Sequence, residues 1–268
     1  MKKLFSVIFF LILSVSCSKP QVNMETGKEL DHEVIARQIF SLVNMERQNR
    51  GLYKLKYDEK LAEVALIHSK NMIKQDFLSH EDRERRSSQE RVEIYYPEMI
   101  FGEIGENIAY SQGFYGDDVA KNLMETWMNA SDLRANILST RYSHMGAGVK
   151  RDGSKHYGTL KFIAAVVKVP DGTIKEVEFG SEATLRFEFV GIFDRHDITV
   201  YCQFPDSSAR YYTFDNQFYT GKAPLTPDWI DHKTFSVTFR FDKGICPYTF
   251  KFVKEGNLYP RGYTVTAK

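Results

Sequence analysis

The sequence predicts an α+β protein, in which a helical segment ending in an antiparallel hairpin is followed by a small, sandwich-like all-β segment. Apolar residues recur every three or four positions up to about residue 128, which is the period of an amphipathic helix. From about residue 146 the period is two, and no helical pattern remains beyond residue 180. Aromatic residues follow the same division, because 19 of the 37 lie in the last 88 residues.

The first 17 residues predict an export signal. Lys2 and Lys3 precede an apolar run from Leu4 to Val15, which is too short to span a bilayer as a helix. Cys17 follows a small residue, as in the signal of a bacterial lipoprotein. We therefore expect a lipid-anchored protein of the cell envelope, at the outer membrane or cell surface, with residues 18–32 as a polar tether. An ordinary cleaved signal peptide is the alternative.

The charge balance excludes one class of partner. The chain carries 36 Lys and Arg residues against 35 Asp and Glu residues, a net charge of +1. Such a weak charge does not attract a polyanion, so nucleic acid is excluded as an electrostatic partner. Membrane attachment is accordingly expected through the anchor.

Four helices are predicted in the first half of the chain. The first runs from Glu33 to Arg50, with Ile35, Ile39 and Val43 on one face. The other three begin at N-terminal signals: Asp58 as an N-cap, the capping box Ser87 to Glu90, and Asp117–Asp118 ahead of a helix from Val119 to Met128.

Strands follow the helices. Gly146 to Lys150 and Thr159 to Val169 predict a hairpin that completes a domain over residues 34–169. A second domain is predicted over residues 180–268, with strands at 185–189, 198–204, 235–241, 248–253 and 263–267. In an oxidising compartment Cys202 and Cys246 form a disulfide or remain two buried thiols, and the sequence leaves both alternatives open.

Several short motifs in the first domain occur in a recognisable order. They are Phe77-Leu78-Ser79-His80, Gly105-Glu106-Asn107-Ile108-Ala109, Arg134-Ala135-Asn136-Ile137-Leu138 and Met145-Gly146-Ala147-Gly148-Val149. The set resembles the CAP superfamily of cysteine-rich secretory, antigen 5 and pathogenesis-related proteins, and its bacterial SCP-like branch in particular. The resemblance covers about residues 34–169 and implies an α-β-α sandwich.

The resemblance also implies a cleft that holds two histidines and two acidic residues, a set able to bind Zn²⁺ or Ca²⁺. His80 and Glu106 match the first His and the first acid, but Leu133 and Ala130 stand at the other two positions. We therefore expect at most a weak metal site, which Asp132 or His144 could complete. The ligand cleft is predicted to contain His80, Glu106, Asn107, Arg134 and Asn136.

Each of these residues also has a structural interpretation. His80 and Glu106 could bond to each other and hold a loop, and Arg134 and Asn136 could brace the fold. His68, on the apolar stripe of the second helix, is expected to be a semi-buried histidine rather than a ligand, and Trp127 and Met128 are expected in the core.

Three functions are compatible with these observations. The first is a binding module for a lipid, a sterol-like molecule or a glycan. The second is a metal-dependent hydrolase or peptidase with His80 and Glu106 as the catalytic candidates. The third is an adhesion protein that contacts host or surface proteins through aromatic residues of the C-terminal domain, such as Tyr211-Tyr212-Thr213-Phe214 and Phe218-Tyr219.

Overall fold

A computed structural model describes residues 28–205, 221–254 and 257–268. The signal segment with Cys17, residues 18–27 of the tether, and the aromatic run from Tyr211 to Tyr219 lie outside the described residues. Helix α1 begins at Lys28, so the last residues of the predicted tether are helical.

The helices are α1 (Lys28–Gln48), α2 (Glu59–Gln75), α3 (Ser88–Tyr95), α4 (Asp117–Asn129) and α5 (Ser131–Leu138). The strands are β1 (Lys56–Tyr57), β2 (Met99–Gln112), β3 (His144–Asp152), β4 (Lys155–Lys168), β5 (Glu176–Val177), β6 (Glu182–Phe189), β7 (Ile198–Phe204), β8 (Gly221–Leu225), β9 (Asp228–Trp229), β10 (Thr234–Arg240), β11 (Pro247–Lys254) and β12 (Asn257–Ala267). The predicted α+β fold class is confirmed.

The helix starts follow the sequence signals. The Asp58 carboxylate accepts a hydrogen bond from the Leu61 backbone at the start of α2. Ser87 and Glu90 form the reciprocal capping box of α3. Helix α5 was not predicted, and its N-cap residue, Ala130, has no side chain that could cap it.

The first half of the chain is a three-layer α-β-α sandwich. Strand β4 pairs with β2 along one edge and with β3 along the other. Helices α2 and α3 pack on one face of this sheet through a core that includes Leu61, Val64, Val92 and Ile163. Helices α1, α4 and α5 cover the other face around Trp127.

Strand β2 is the main element that the sequence did not predict. It pairs with β4 over most of its length, with register shifts between Ile100 and Ile104. Helix α2 lies so close to β3 that a side chain at Gly146 or Gly148 would collide with its backbone. The two glycines of the Met145 to Val149 motif are therefore packing residues.

The second half adds a two-sheet arrangement. Strands β6, β10 and β9 continue the first sheet, because β6 pairs with the end of β4 at Val167 and Lys168. A second sheet, in the order β5-β12-β11-β7-β8, packs against this extension. The core between the sheets is rich in phenylalanine and also contains Ile100 and Val166 from the first half.

Cys202 and Cys246 are both free thiols in the structure, and Cys202 is buried whereas Cys246 is partly exposed. Cys202 on β7 lies opposite Phe250 on β11, four residues beyond Cys246. Cys246 lies in the turn before β11, and besides burial its thiol also raises the pKa of Cys202, so the two sulfur atoms lie in the same part of the core.

Candidate functional site

Glu106 is the centre of a buried charged cluster beneath α2 and α3. It lies on β2 directly opposite Lys161 on β4, and its side chain is 2% exposed. The Lys161 Nζ is 2.5 Å from Glu106 Oε2. The Arg91 guanidinium, supplied by α3, donates from Nη2 to Oε1 at 3.1 Å and to Oε2 at 2.9 Å. Two buried cations therefore compensate one buried carboxylate.

Two histidines complete the surroundings of this carboxylate. His80 Nδ1 is 2.9 Å from Glu106 Oε1, and the His80 side chain is 57% exposed. His68, which is fully buried on α2, has its Nε2 3.9 Å from the same oxygen and 2.9 Å from the Ser79 carbonyl oxygen. The loop is thus held at two adjacent residues, because Ser79 bonds to α2 and His80 bonds to β2.

The charge environment shifts three pKa values. Burial acts to raise the pKa of Glu106, but the His80 hydrogen bond and the charges of Lys161 and Arg91 outweigh it and hold that pKa well below its usual range. Burial lowers the pKa of Lys161 despite the opposing effect of Glu106. Burial also lowers the pKa of His68 to about 4, so this histidine is neutral at neutral pH.

The residues at this cluster do not fit a bound cation. Both carboxylate oxygens of Glu106 face a cation of the protein, and Leu133 and Ala130 contribute no donor side chains at the positions of the family pattern. His144 does not complete the set, because it bonds to Ser143 and its charged neighbours are Lys56 and Asp58. Within the residues that the structure describes, no three His, Cys, Asp or Glu side chains are grouped to hold a metal.

The other residues of the predicted cleft brace α5. Asn107 Nδ2 donates to the Leu133 carbonyl oxygen at 2.8 Å, and Asn136 Nδ2 donates to Asn107 Oδ1 at 2.9 Å. Arg134 donates to the Met128 carbonyl oxygen at the end of α4. The residues of the predicted cleft therefore fall into separate groups. His80 contacts Glu106, Asn107 bonds to Asn136, and Arg134 bonds to the last turn of α4.

Sequence reasoning did not identify Arg91 and Lys161 as members of the cluster. One signal was available, because Lys161 interrupts an otherwise apolar run between Leu160 and Val167. A lysine inside a buried strand needs a partner, and its register places it opposite Glu106.

A groove lies on the opposite side of the sheet, between α1 and the first turn of α4. It encloses about 650 Å³. Its apolar surface is formed by Val34, Leu42, Met45 and Ala120. Charged side chains border it, namely Glu33, Arg37, Asp117 and Lys121. Val34 and Met45 are about half exposed, so apolar surface is open to a ligand.

Comparisons with known proteins show which family the first half of the chain resembles. Residues 40–167 match the model of the cysteine-rich secretory protein family, CAP. The uncharacterized membrane protein YlbC of Bacillus subtilis is 38% identical over 127 residues, 47% of this chain and 34% of that protein. The uncharacterized protein YkwD of the same organism is 27% identical over 134 residues, 50% of this chain and 49% of that protein. The chain thus spans half or less of each of these relatives.

A solved structure is similar to part of this chain. An extracellular protein containing an SCP domain from Bacillus anthracis is 27% identical, with a TM-score of 0.45, over 55% of this chain and 45% of that chain. In the described part of the chain, no helix is both long and apolar enough to cross a membrane.

Proposed function

Because residues 40–167 form a CAP domain of the cysteine-rich secretory protein family, we propose that this chain is an exported binding protein that holds a lipid or a sterol-like molecule in the groove between α1 and α4. The observation that supports this proposal is the groove itself, with its apolar lining and charged border. Its volume of about 650 Å³ falls within the range of small-molecule sites.

The chemistry of the lining favours a lipid over a glycan. Val34, Leu42 and Met45 offer aliphatic surface, which gains free energy when it is covered by a hydrocarbon chain or ring system. Arg37, which pairs with Glu59, and Lys121, which pairs with Asp118, lie at the border and would exchange these partners for a carboxylate or a phosphate at the polar end of such a ligand. A glycan would instead require a denser set of hydrogen-bonding groups.

The hydrolase alternative has less support at the His80–Glu106 pair. A general base must be able to accept a proton near neutral pH, whereas the pKa of Glu106 is held well below its usual range by His80, Lys161 and Arg91. The carboxylate is also 2% exposed, so a substrate would have to displace its present partners. The adhesion alternative concerns aromatic residues outside the described part of the chain.

Export and anchoring belong to the same proposal. The segment up to Cys17 has the pattern of a lipoprotein signal, and the relative YlbC is named a membrane protein. We expect metabolic labelling with a fatty acid to modify the wild-type chain and not the Cys17→Ser variant. Equal labelling of both would contradict acylation at Cys17.

The groove is tested with the full chain and a fluorescent fatty acid. Ser41 lines the groove and is exposed, so Ser41→Trp places a large ring in the groove without disturbing the core. We expect this variant to lose binding by at least about tenfold. Ser131→Trp, at an exposed position at the start of α5, is the matched control and should bind as the wild type does. Absence of binding by the wild type, or equal binding by Ser41→Trp, would overturn the proposal.

A further inference from the structure

One end of the CAP domain exposes three aromatic rings on neighbouring segments. Tyr110 near the end of β2 is 48% exposed, and Phe114 and Tyr115 in the loop before α4 are 41% and 58% exposed. The loop is fastened to the tip of the β3–β4 hairpin, where the Gly113 backbone donates to the Ser154 carbonyl oxygen at 3.0 Å. We name Tyr110, Phe114 and Tyr115 the aromatic tip.

Two cations of the hairpin lie over tyrosine rings of the aromatic tip. The Arg151 guanidinium is 5.2 Å from the centre of the Tyr115 ring, and Lys155 Nζ is 5.5 Å from the centre of the Tyr110 ring. A solvent-exposed end that combines phenylalanine, tyrosine and basic side chains has the composition of membrane-interface segments, in which rings enter the headgroup region and cations meet phosphates.

The start of α1 reaches the same end of the molecule. The Arg151 backbone N–H donates to His32 Nε2 at 3.2 Å, so the start of α1 lies beside the hairpin residue whose guanidinium covers the Tyr115 ring. The proposed groove also begins here, because Glu33 and Asp117 line it and Asp117 lies two residues after Tyr115. The amide of Asp118 donates to the Tyr115 carbonyl oxygen, which ties the loop to the first turn of α4.

We propose that the aromatic tip docks on the surface of a phospholipid bilayer and orients the groove between α1 and α4 toward that membrane. The docking is carried by the rings, since Asp117, Asp118 and Asp152 balance Arg151, Lys155 and Lys121 at this end. Zwitterionic lipid is therefore a sufficient surface. The role of the groove in this inference rests on the proposed function, whereas docking of the tip does not.

The test uses residues 18–268, which contain every residue of the described fold and lack Cys17, so that no acyl chain contributes. Sedimentation with phosphatidylcholine vesicles should recover the wild type. Phe114→Ser/Tyr115→Ser should reduce the bound fraction at least about tenfold, because it removes two exposed rings. The matched control is Ile230→Ser/Ile245→Ser, which removes exposed apolar side chains from the second half of the chain and should bind as the wild type does.

Two further measurements keep the outcomes apart. All variants change exposed side chains, so equal unfolding temperatures should show that the fold is retained. In solution, Phe114→Ser/Tyr115→Ser should still bind the fluorescent fatty acid, whereas Ser41→Trp should lose the fatty acid and still bind vesicles. Docking is overturned if the wild type does not sediment with the vesicles or if the tip variant sediments equally. It is also overturned if the tip variant keeps vesicle binding and loses only the binding of isolated cell-wall glycan, measured in the same way.

Discussion

Replacement of Glu106 by glutamine should destabilise the fold strongly, although the change removes no volume. The substitution leaves the guanidinium of Arg91 and the ammonium of Lys161 facing an uncharged amide, and both cations are fully buried. Removal of one partner from a buried ion pair costs about 3–5 kcal/mol of unfolding free energy, mostly because the other charge stays buried without compensation. The expected loss for Glu106→Gln lies in this range.

The same strand offers a control for this measurement. Glu103 on β2 pairs with Arg141 at 2.8 Å, but the two side chains are 47% and 66% exposed. Glu103→Gln should therefore cost no more than about 1 kcal/mol, as is usual for exposed ion pairs. Urea unfolding of both variants at pH 7 measures the difference directly.

A second substitution tests the cause. Glu106→Gln combined with Lys161→Met removes the carboxylate together with one of the cations that it compensates. The double variant should lose less stability than the sum of the two single losses, because the Lys161 charge that Glu106→Gln leaves unpaired is absent and only the Arg91 charge stays uncompensated. A loss below about 1 kcal/mol for Glu106→Gln, or strict additivity in the double variant, would refute the electrostatic account of the cluster.

Acid should weaken the fold through two buried histidines. The pKa values of His68 and His144 are lowered by burial to about 4, so between pH 6.5 and pH 4 the unfolded chain binds more protons and stability falls as the pH falls. Each histidine should contribute about 2 kcal/mol of loss between pH 7 and pH 5, and His68→Gln should remove its share in urea unfolding at both pH values. Added Zn²⁺ should leave the unfolding temperature unchanged, and a rise that disappears in His80→Ala would contradict the assignment of Glu106 to internal cations. A thiol reagent should modify Cys246 in the native chain and Cys202 only after unfolding, because burial raises the pKa of Cys202 to about 12; detection of a single disulfide instead would refute the free thiols.

The elements that the sequence predicts well are those whose signals are local. Asp58 caps α2, and Ser87 with Glu90 caps α3, as the residue types require. Strand β2 was missed because Gly102, Gly105 and two register shifts interrupt its alternation, so its place depends on pairing with β4. Helix α5 was missed because it is short and lacks a capping side chain.

The site could be predicted only in part, for the same reason. Family motifs identify His80 and Glu106, but the partners of Glu106 come from α3 and β4, and no local pattern states that these elements meet. The groove depends on the packing of α1 against α4, which are separated by about 70 residues of chain. The relative position of these two helices is set by the packing of the whole core, so no local sequence pattern can predict it.

The arrangement around Glu106 separates the most recognisable motif of the chain from its best-supported binding surface. A buried carboxylate must be compensated, and the two cations that the fold itself supplies meet that requirement. The ion pairs of Glu106 with Arg91 and Lys161 therefore make this carboxylate necessary to the fold even when no ligand is bound. The groove has the opposite character. Covering the exposed side chains of Val34 and Met45 with a ligand would lower the free energy, and these side chains are not part of the described core. Substitutions at Glu106 should consequently change stability first, and substitutions in the groove should change binding first.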